Sequence, residues 1–372
     1  MVNFAVSDEQ IELRRSVRRF FGEKSGSADV RRAMGSSEGY DEKTWQMMAE
    51  QLGLTGLAIP EEYGGSGYGY VELAVVFEEA GAALLCSPLF ASVALAANAL
   101  LESDDDEAKA SYLPRIAAGE LTATLAFTED GGRWEPDATT LTAVHAGGEW
   151  RLSGHKSFVI DGHTADLILV VGRTDTGLGL FAVAGDATGL ERRALPTMDQ
   201  TRKQARLTFA DTPARLVGQA RDAAAILERT LDLAAVALAA EATGGAQRCL
   251  DLAVQYAKER IQFGRPIGSF QAIKHKCSDM FLEVESARSA AYAAASEAAD
   301  GSTELAAAAS LAKAYCTDAF FNTAAENIQI HGGIGFTWEH DAHLYFKRAK
   351  SSQLLLGDPS YHRERVAQLI GI

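Results

Sequence analysis

Three stretches combine residue types that could do chemistry. The first, ERIQFGRPIGSFQAIKH (259–275), sets Arg260, Gln262 and Phe263 ahead of Gly264, with a proline and further cations behind them. A guanidinium can pair bidentately with a diphosphate, and an aromatic face beside an amide can hold an adenine. The same residues also read as the C-terminal end of a helix, stopped at Gly264, with cations placed for the helix dipole. The second stretch, NIQIHGGIGFTWEH (327–340), follows Gln329 with Gly332, Gly333 and Gly335. Successive glycines let backbone N–H groups come up to phosphate oxygens, although a plain helix-ending turn uses the same letters. It is not a dinucleotide fingerprint of the strand–turn–helix kind, because a helical pattern precedes it. The third is a pair, LAFTEDGGRWEP (125–136) and LSGHKSFVIDGHTADLILVV (152–171), with aromatic or hydroxyl residues at strand ends beside glycines. By itself that pair reads as a β-hairpin with Asp-Gly turn chemistry.

Three kinds of texture must position these residues. From about Ser7 to Leu121 apolar residues recur at helical spacing, as in Ile11, Leu13, Val17, Phe20 and Phe21, broken by the loop IPEEYGGSGYGY (59–70). Between about Thr122 and Val217 short β-rich runs appear, TATLAF, WRLSG, DLILVVGR, LGLFAVAG and ARLTFAD, divided by Gly, Asp and Thr. Long alanine-rich helices return from about Arg221, and three or four of comparable length read as a bundle. The expected division is an N-terminal α-helical domain over 1–121, a middle β-domain over 122–217 and a C-terminal helical bundle over 218–372.

A chain of 372 residues exceeds one ordinary core, in line with several layers or domains. The net charge of −15 leaves no basic excess to neutralise phosphates, so a nucleic-acid surface is not expected. The N-terminal residues carry charges within their helical pattern and lack an apolar h-region, and no apolar run approaches the roughly 18 residues of a membrane span. Cys86, Cys249, Cys277 and Cys316 are scattered, which indicates neither a disulfide framework nor a metal site and fits a cytoplasmic protein.

Taken together, the helical–β–helical order with PEEYGGSG in the first part, G-x-K-x-F-V-x-D-G-x-x-A-D in the second, and ER-x-x-FG-x-P-I and QIHGGIG in the third resembles the acyl-CoA dehydrogenase family along essentially the whole chain. The resemblance implies a mainly α, three-domain fold: N-terminal helical domain, middle β-barrel or sandwich, C-terminal four-helix bundle. It also implies FAD, an acyl-CoA substrate oxidised at its α,β bond, and an electron-transferring flavoprotein as acceptor. In this family each flavin site is shared between two chains. The neighbour-directed half corresponds here to Arg260, Gln262, Phe263, Phe270, Gln329, Gly332 and Gly333, all intact.

The chain's own half departs from the pattern. A T-E-P-x-A-G-S-D-like loop becomes Thr128, Glu129, Asp130, Gly131, Gly132, Arg133 and Trp134. The Trp-Ile-Thr that meets the flavin ring becomes Phe158, Val159 and Ile160, so Ile160 brings no hydroxyl; the own-side candidates are then Phe127, Thr128, Phe158 and Ile160. Most members place a catalytic Glu near the C-terminus, where the resemblance puts Leu356 beside Gly357; a second branch places it just before an Arg, where Ala234 and then Ala235 stand. The acids that could substitute are Asp358, two residues after Leu356, and Glu241, seven residues after Ala234, which also read as a turn acid and as a helical acid paired with Arg248 or with another chain.

The expectation that follows is the non-catalytic chain of a heteromeric α2β2 acyl-CoA dehydrogenase, lending ADP-side contacts to a related catalytic chain. By resemblance, such assemblies act on bulky acyl-CoA esters, including steroid side-chain intermediates. Two other readings stay open: a self-sufficient homotetramer using Asp358 or Glu241, and a flavin-free scaffold. The run CSPLFASVALAANALL (86–101) either shapes a substrate pocket or is a plain core helix.

Overall fold

A computed structural model of the chain describes residues 7–372, so the first six residues of the expected N-terminal domain lie outside the described residues. The helices of the first part are α1 (Asp8–Lys24), α2 (Ser27–Gly35), α3 (Glu42–Leu52), α4 (Tyr70–Ala82), α5 (Asn98–Leu101) and α6 (Asp106–Ala117). Seven strands follow: β1 (Ala123–Ala126), β2 (Thr142–Ala146), β3 (Glu149–Ile160), β4 (Leu167–Arg173), β5 (Leu178–Ala184), β6 (Leu190–Ala194) and β7 (Gln204–Val217). The rest is α7 (Ala223–Glu259), a small hairpin of β8 (Ile261–Gln262) and β9 (Arg265–Pro266), then α8 (Gln271–Ala299), α9 (Leu305–His331), α10 (Ala342–Leu354) and α11 (Pro359–Leu369). The mainly helical architecture with a central β-part is therefore as expected. No helix among the described residues is long and apolar enough to cross a membrane.

Two compact units can be separated. One comprises the chain up to Arg31, Tyr70–Leu85 and Ala235–Ile372; the other comprises Arg32–Gly69 and Cys86–Ala234.

In the first unit α1 opens with a capping box, Ser7 and Gln10 each satisfying the other's backbone N–H. Its Arg14 and Arg18 reach the buried carboxylates of Glu78 and Glu79 on α4, where Tyr292 of α8 also donates to Glu78 at 2.9 Å. Helices α4 and α7 cross by a reciprocal close approach. A Cβ on Gly81 would collide with the Glu241 carbonyl oxygen, and one on Gly244 with the Glu78 carbonyl oxygen. The adjacent Gly245 makes room for the Phe320 ring of α9. The pair in EATGGAQR thus serves two neighbouring helices at once, which is why the bundle tolerates two poor helix formers in the middle of α7.

In the second unit the strand pairings close a circuit, β4–β5–β7–β3–β2–β4, with β1 on β4 and β6 on β7. This is barrel-like. Its interior is built from Leu152, Val159, Ile168, Val170, Phe181, Val183, Leu207 and Phe209. β4 is a continuous buried run, whereas β2 and β6 are short and mostly exposed, so their sequences carry no strand signal and they were not expected. The tight hairpin is β2–β3, turned by Gly147 and Gly148 at positive φ; the Asp-Gly pairs at 130–131 and 161–162 lie in longer connections instead. Phe90–Ala97 is a π-helix, buried throughout, stitched to β1 where Ser92 Oγ bonds both the N–H and the C=O of Ala123. The run 86–101 is core within this unit.

Candidate functional site

The first candidate stretch folds differently from the expected helix end. α7 stops at Glu259, and the next residues form a β-hairpin pairing Ile261 with Pro266 and Gln262 with Arg265. Phe263 and Gly264 are its two turn residues, at φ 52° and 75°, so Gly264 is a hairpin residue and not a helix cap. The reversal lifts Phe263 off the protein, 91% exposed. Its ring meets the edge of Phe270 at 6.1 Å, and the Arg265 guanidinium covers the face of Phe270 at 4.1 Å. Arg260 and Gln262 are exposed, and their side chains have no partner among the described residues.

The second stretch is joined to the first from beneath. Tyr256, one turn before the hairpin, stacks on His331, the last residue of α9. His331 is fixed in turn because its Nδ1–H donates to the Asn327 carbonyl oxygen at 2.8 Å, and burial keeps the ring's pKa below the ordinary value. Gln329, Gly332 and Gly333 are exposed at this end, and a Cβ on either glycine would meet nothing. Two stretches 70 residues apart therefore share one end of the bundle.

The expected base positions are apolar and closed. Leu356 is 4% exposed, and Ala234 and Ala235 are buried in α7. Asp358 is the N-cap of α11, accepting from the Tyr361 N–H at 2.8 Å. Glu241 pairs with Arg348 of α10, not with Arg248, and both side chains are buried. Residues seven apart on one helix are separated by roughly 10 Å of rise, which a Glu–Arg pair has no reason to bridge when Arg348 lies opposite.

The connection that carries Leu356 is held by groups the sequence did not single out. Lys313, fully buried on α9, donates to the carbonyl oxygens of Gln353, at 2.8 Å, and Gly357. Burial brings its pKa down to about 7, the acids Asp358 and Asp318 opposing this only in part. His362 Nε2 donates to the Leu356 carbonyl oxygen at 2.9 Å, and burial together with the Lys313 charge takes its pKa down to about 3. Leu356 stands at φ 60°, a left-handed conformation that costs a residue with a Cβ roughly 1–2 kcal/mol.

On the other unit, the own-side residues are engaged within the chain. Thr128 donates its hydroxyl to the Ser157 carbonyl oxygen at 2.6 Å and accepts the Ser157 N–H at its own carbonyl. Ile160 is buried, and its carbonyl accepts from Thr124 Oγ1 at 2.6 Å. Phe158 sits at a bulge of β3 with φ 60° and is 42% exposed, while Phe127 packs beside Trp134. The loop between β1 and β2 is anchored by the fully buried Lys156, which donates to the Phe127 carbonyl at 3.1 Å and to Glu129 at 2.9 Å. Burial lowers the Lys156 pKa to about 8 against the pull of Glu129. Burial acts the other way on Glu129, but hydrogen bonds from Thr140, Leu141 and Lys156 prevail and hold it at about 2. Asp130 is held well below the carboxylate range by Arg206 and then Ser157. A buried lysine inside the G-x-K-x-F motif was the available signal for this anchor.

Three comparisons bear on this geometry. The sequence matches the acyl-CoA dehydrogenase N-terminal domain over residues 7–120, the middle domain over 124–212 and the C-terminal domain over 224–371. It is 37% identical over 355 residues to the acyl-CoA dehydrogenase IpdE2 of Mycobacterium tuberculosis, covering 95% of this chain and 94% of that protein. Among solved structures, a variant of the steroid ACAD Tcur3481–Tcur3483 is 35% identical with a TM-score of 0.89 over 98% of each chain. The ChsE4–ChsE5 complex of Mycobacterium tuberculosis is 27% identical with a TM-score of 0.90, and the match covers 100% of both chains.

Proposed function

The chain belongs to the acyl-CoA dehydrogenase family, and we propose that within it this chain is a partner subunit, contributing ADP-side FAD contacts to a related catalytic chain and not supplying the base itself. One contrast carries this reading. Arg260, Gln262 and Gln329, assigned to a neighbour's cofactor, are exposed with no side-chain partner among the described residues, whereas both base positions hold buried apolar residues.

The neighbour-directed residues suit FAD. Arg260 is a guanidinium without a partner among the described residues and suits a pyrophosphate, Phe263 and the face of Phe270 away from Arg265 suit an adenine, Gln262 and Gln329 offer amides, and the open space over Gly332 and Gly333 leaves room for phosphate oxygens. FAD, when bound, provides the hydride acceptor of the family's α,β-dehydrogenation. The own-side residues suit it less well, since the Thr128 hydroxyl is donated to Ser157 and Ile160 has none to offer. Orientation of a reactive ring and removal of an α-proton would then fall to the partner chain, in an α2β2 assembly. An electron-transferring flavoprotein would take the electrons. The likeness to a steroid ACAD and to the ChsE4–ChsE5 complex supports a heteromeric assembly acting on a bulky acyl-CoA. Asp358 and Glu241 are already committed to a helix cap and to Arg348, which weighs against a self-sufficient homotetramer.

The test is the FAD-to-chain ratio, by flavin absorbance, of the protein purified alone. A ratio near zero is expected. A ratio near one flavin per chain overturns the partner-subunit reading and makes Asp358 and Glu241 the next residues to substitute.

A further inference from the structure

We propose that Lys313 and His362 are positioning residues that clamp the backbone of residue 356, so that the slot the family gives to its base is kept aimed and closed while its occupant is apolar. The proposal rests on the assignment of Leu356 to that position.

The connection from α10 to α11 has only four residues, Leu355–Asp358, and it must reverse the chain. The last carbonyls of a helix have no partner in the helix, and buried carbonyls need one from elsewhere. Here three carbonyls are claimed by two side chains from flanking helices: Gln353 and Gly357 by Lys313 of α9, and Leu356 by His362 of α11. Asp358 ties the far end as the α11 N-cap. Gly357 adds a further constraint, because a Cβ there would strike the Tyr361 ring.

None of these contacts uses the Leu356 side chain. These contacts hold the direction of its Cα–Cβ bond from the backbone, so that a different residue placed there is aimed the same way. The donors are otherwise hard to account for. A fully buried amine that binds no carboxylate among the described residues is unfavourable unless its hydrogens are needed, and the other ring nitrogen of His362 is buried without a partner among the described residues. Both are explained if the loop geometry requires their donors.

Thiol accessibility tests this without flavin or partner, so its outcome is separate from that of the flavin ratio. In a Cys86→Ser, Cys277→Ser background, which removes the half-exposed native thiol and the one outside this unit, Leu356→Cys places a reporter in the slot, and the buried Cys249 and Cys316 report on the fold around it. The introduced thiol should resist an aromatic disulfide reagent. Adding Lys313→Met should raise its rate about tenfold or more through local opening of the loop, with Cys249 and Cys316 still unreactive. If Lys313→Met exposes those two as well, His362→Phe decides, because it keeps a ring and removes only the donor to Leu356. A reporter that reacts freely before either change, or stays protected after a change that leaves Cys249 and Cys316 unreactive, overturns the clamp. Exposure of all three thiols by both changes also overturns it, by showing a general role in folding.

Discussion

Tyr256 and His331 stack with ring centroids 4.3 Å apart and planes 27° from parallel, joining the hairpin after α7 to the glycine turn after α9. Neither side chain is among the residues assigned to cofactor, yet both stand directly beneath them. Such pairs contribute roughly 0.5–1.5 kcal/mol beyond area burial. Tyr256→Leu should therefore lower stability to urea by about 1 kcal/mol, while Tyr256→Phe, which retains the ring, should leave the midpoint nearly unchanged. Equal losses from both would move the role from the ring to the hydroxyl.

The crossing of α4 and α7 makes a stronger demand. Gly244 lies against the Glu78 carbonyl and Gly81 against the Glu241 carbonyl, and backbone cannot swing aside as a side chain can. Alanine is ordinarily the better helix former by about 1 kcal/mol, so a solvent-facing Gly→Ala in α7 would stabilise. Here the sign reverses: Gly244→Ala should destabilise by about 1–3 kcal/mol or more from overpacking, read as a fall in the denaturation midpoint. A neutral or raised midpoint would show that the helices can part at no cost.

Which features were legible in the sequence follows from how local their causes are. The long helices show because alanine and apolar spacing act within each segment, and buried β4 shows as an uninterrupted apolar run. The hairpin at 261–266 does not, because two-residue strands have no alternation to display and Phe-Gly is not a usual signature of a positive-φ turn. Strands β2 and β6, polar and exposed, are held by their neighbours' hydrogen bonds. The candidate cofactor residues were visible as a family pattern, whereas the clamp on Leu356 was not. Lys313 sits in an alanine-rich helix, and only carbonyls some 40 residues away decide that it is buried.

Those two clamp groups give a pH dependence of known sign. His362 stays neutral in the fold down to about pH 3, while an unfolded histidine protonates near 6.5. Between these values the unfolded chain binds the extra proton, so this contribution to stability is lost as pH falls through that window. Lys313 titrates near 7 in the fold against 10.5 when unfolded, so again the unfolded chain holds the extra proton and stability rises with pH from about 7 to 10.5. His362→Phe should remove up to one proton from the slope of stability against pH on the acid side, and Lys313→Met on the alkaline side, the latter also narrowing the acid window because the Lys313 charge helps to depress His362. Unchanged slopes in denaturant titrations across both windows would contradict the burial of these groups.

The Lys156–Glu129 pair makes an asymmetric prediction. Glu129 accepts not only from Lys156 but also from Thr140 and Leu141, so Lys156→Met leaves a partly exposed carboxylate with donors still in place. Glu129→Ala, in contrast, leaves a fully buried ammonium with the Phe127 carbonyl as its one acceptor among the described residues. Removing one partner of a buried pair costs about 3–5 kcal/mol, chiefly through the charge left behind. Glu129→Ala should approach that range and Lys156→Met should fall below it. Combining the two should recover part of the larger loss, because the ammonium is then gone. A double-mutant cycle by urea denaturation measures all three, and strictly additive losses would mean that the two side chains anchor the loop independently.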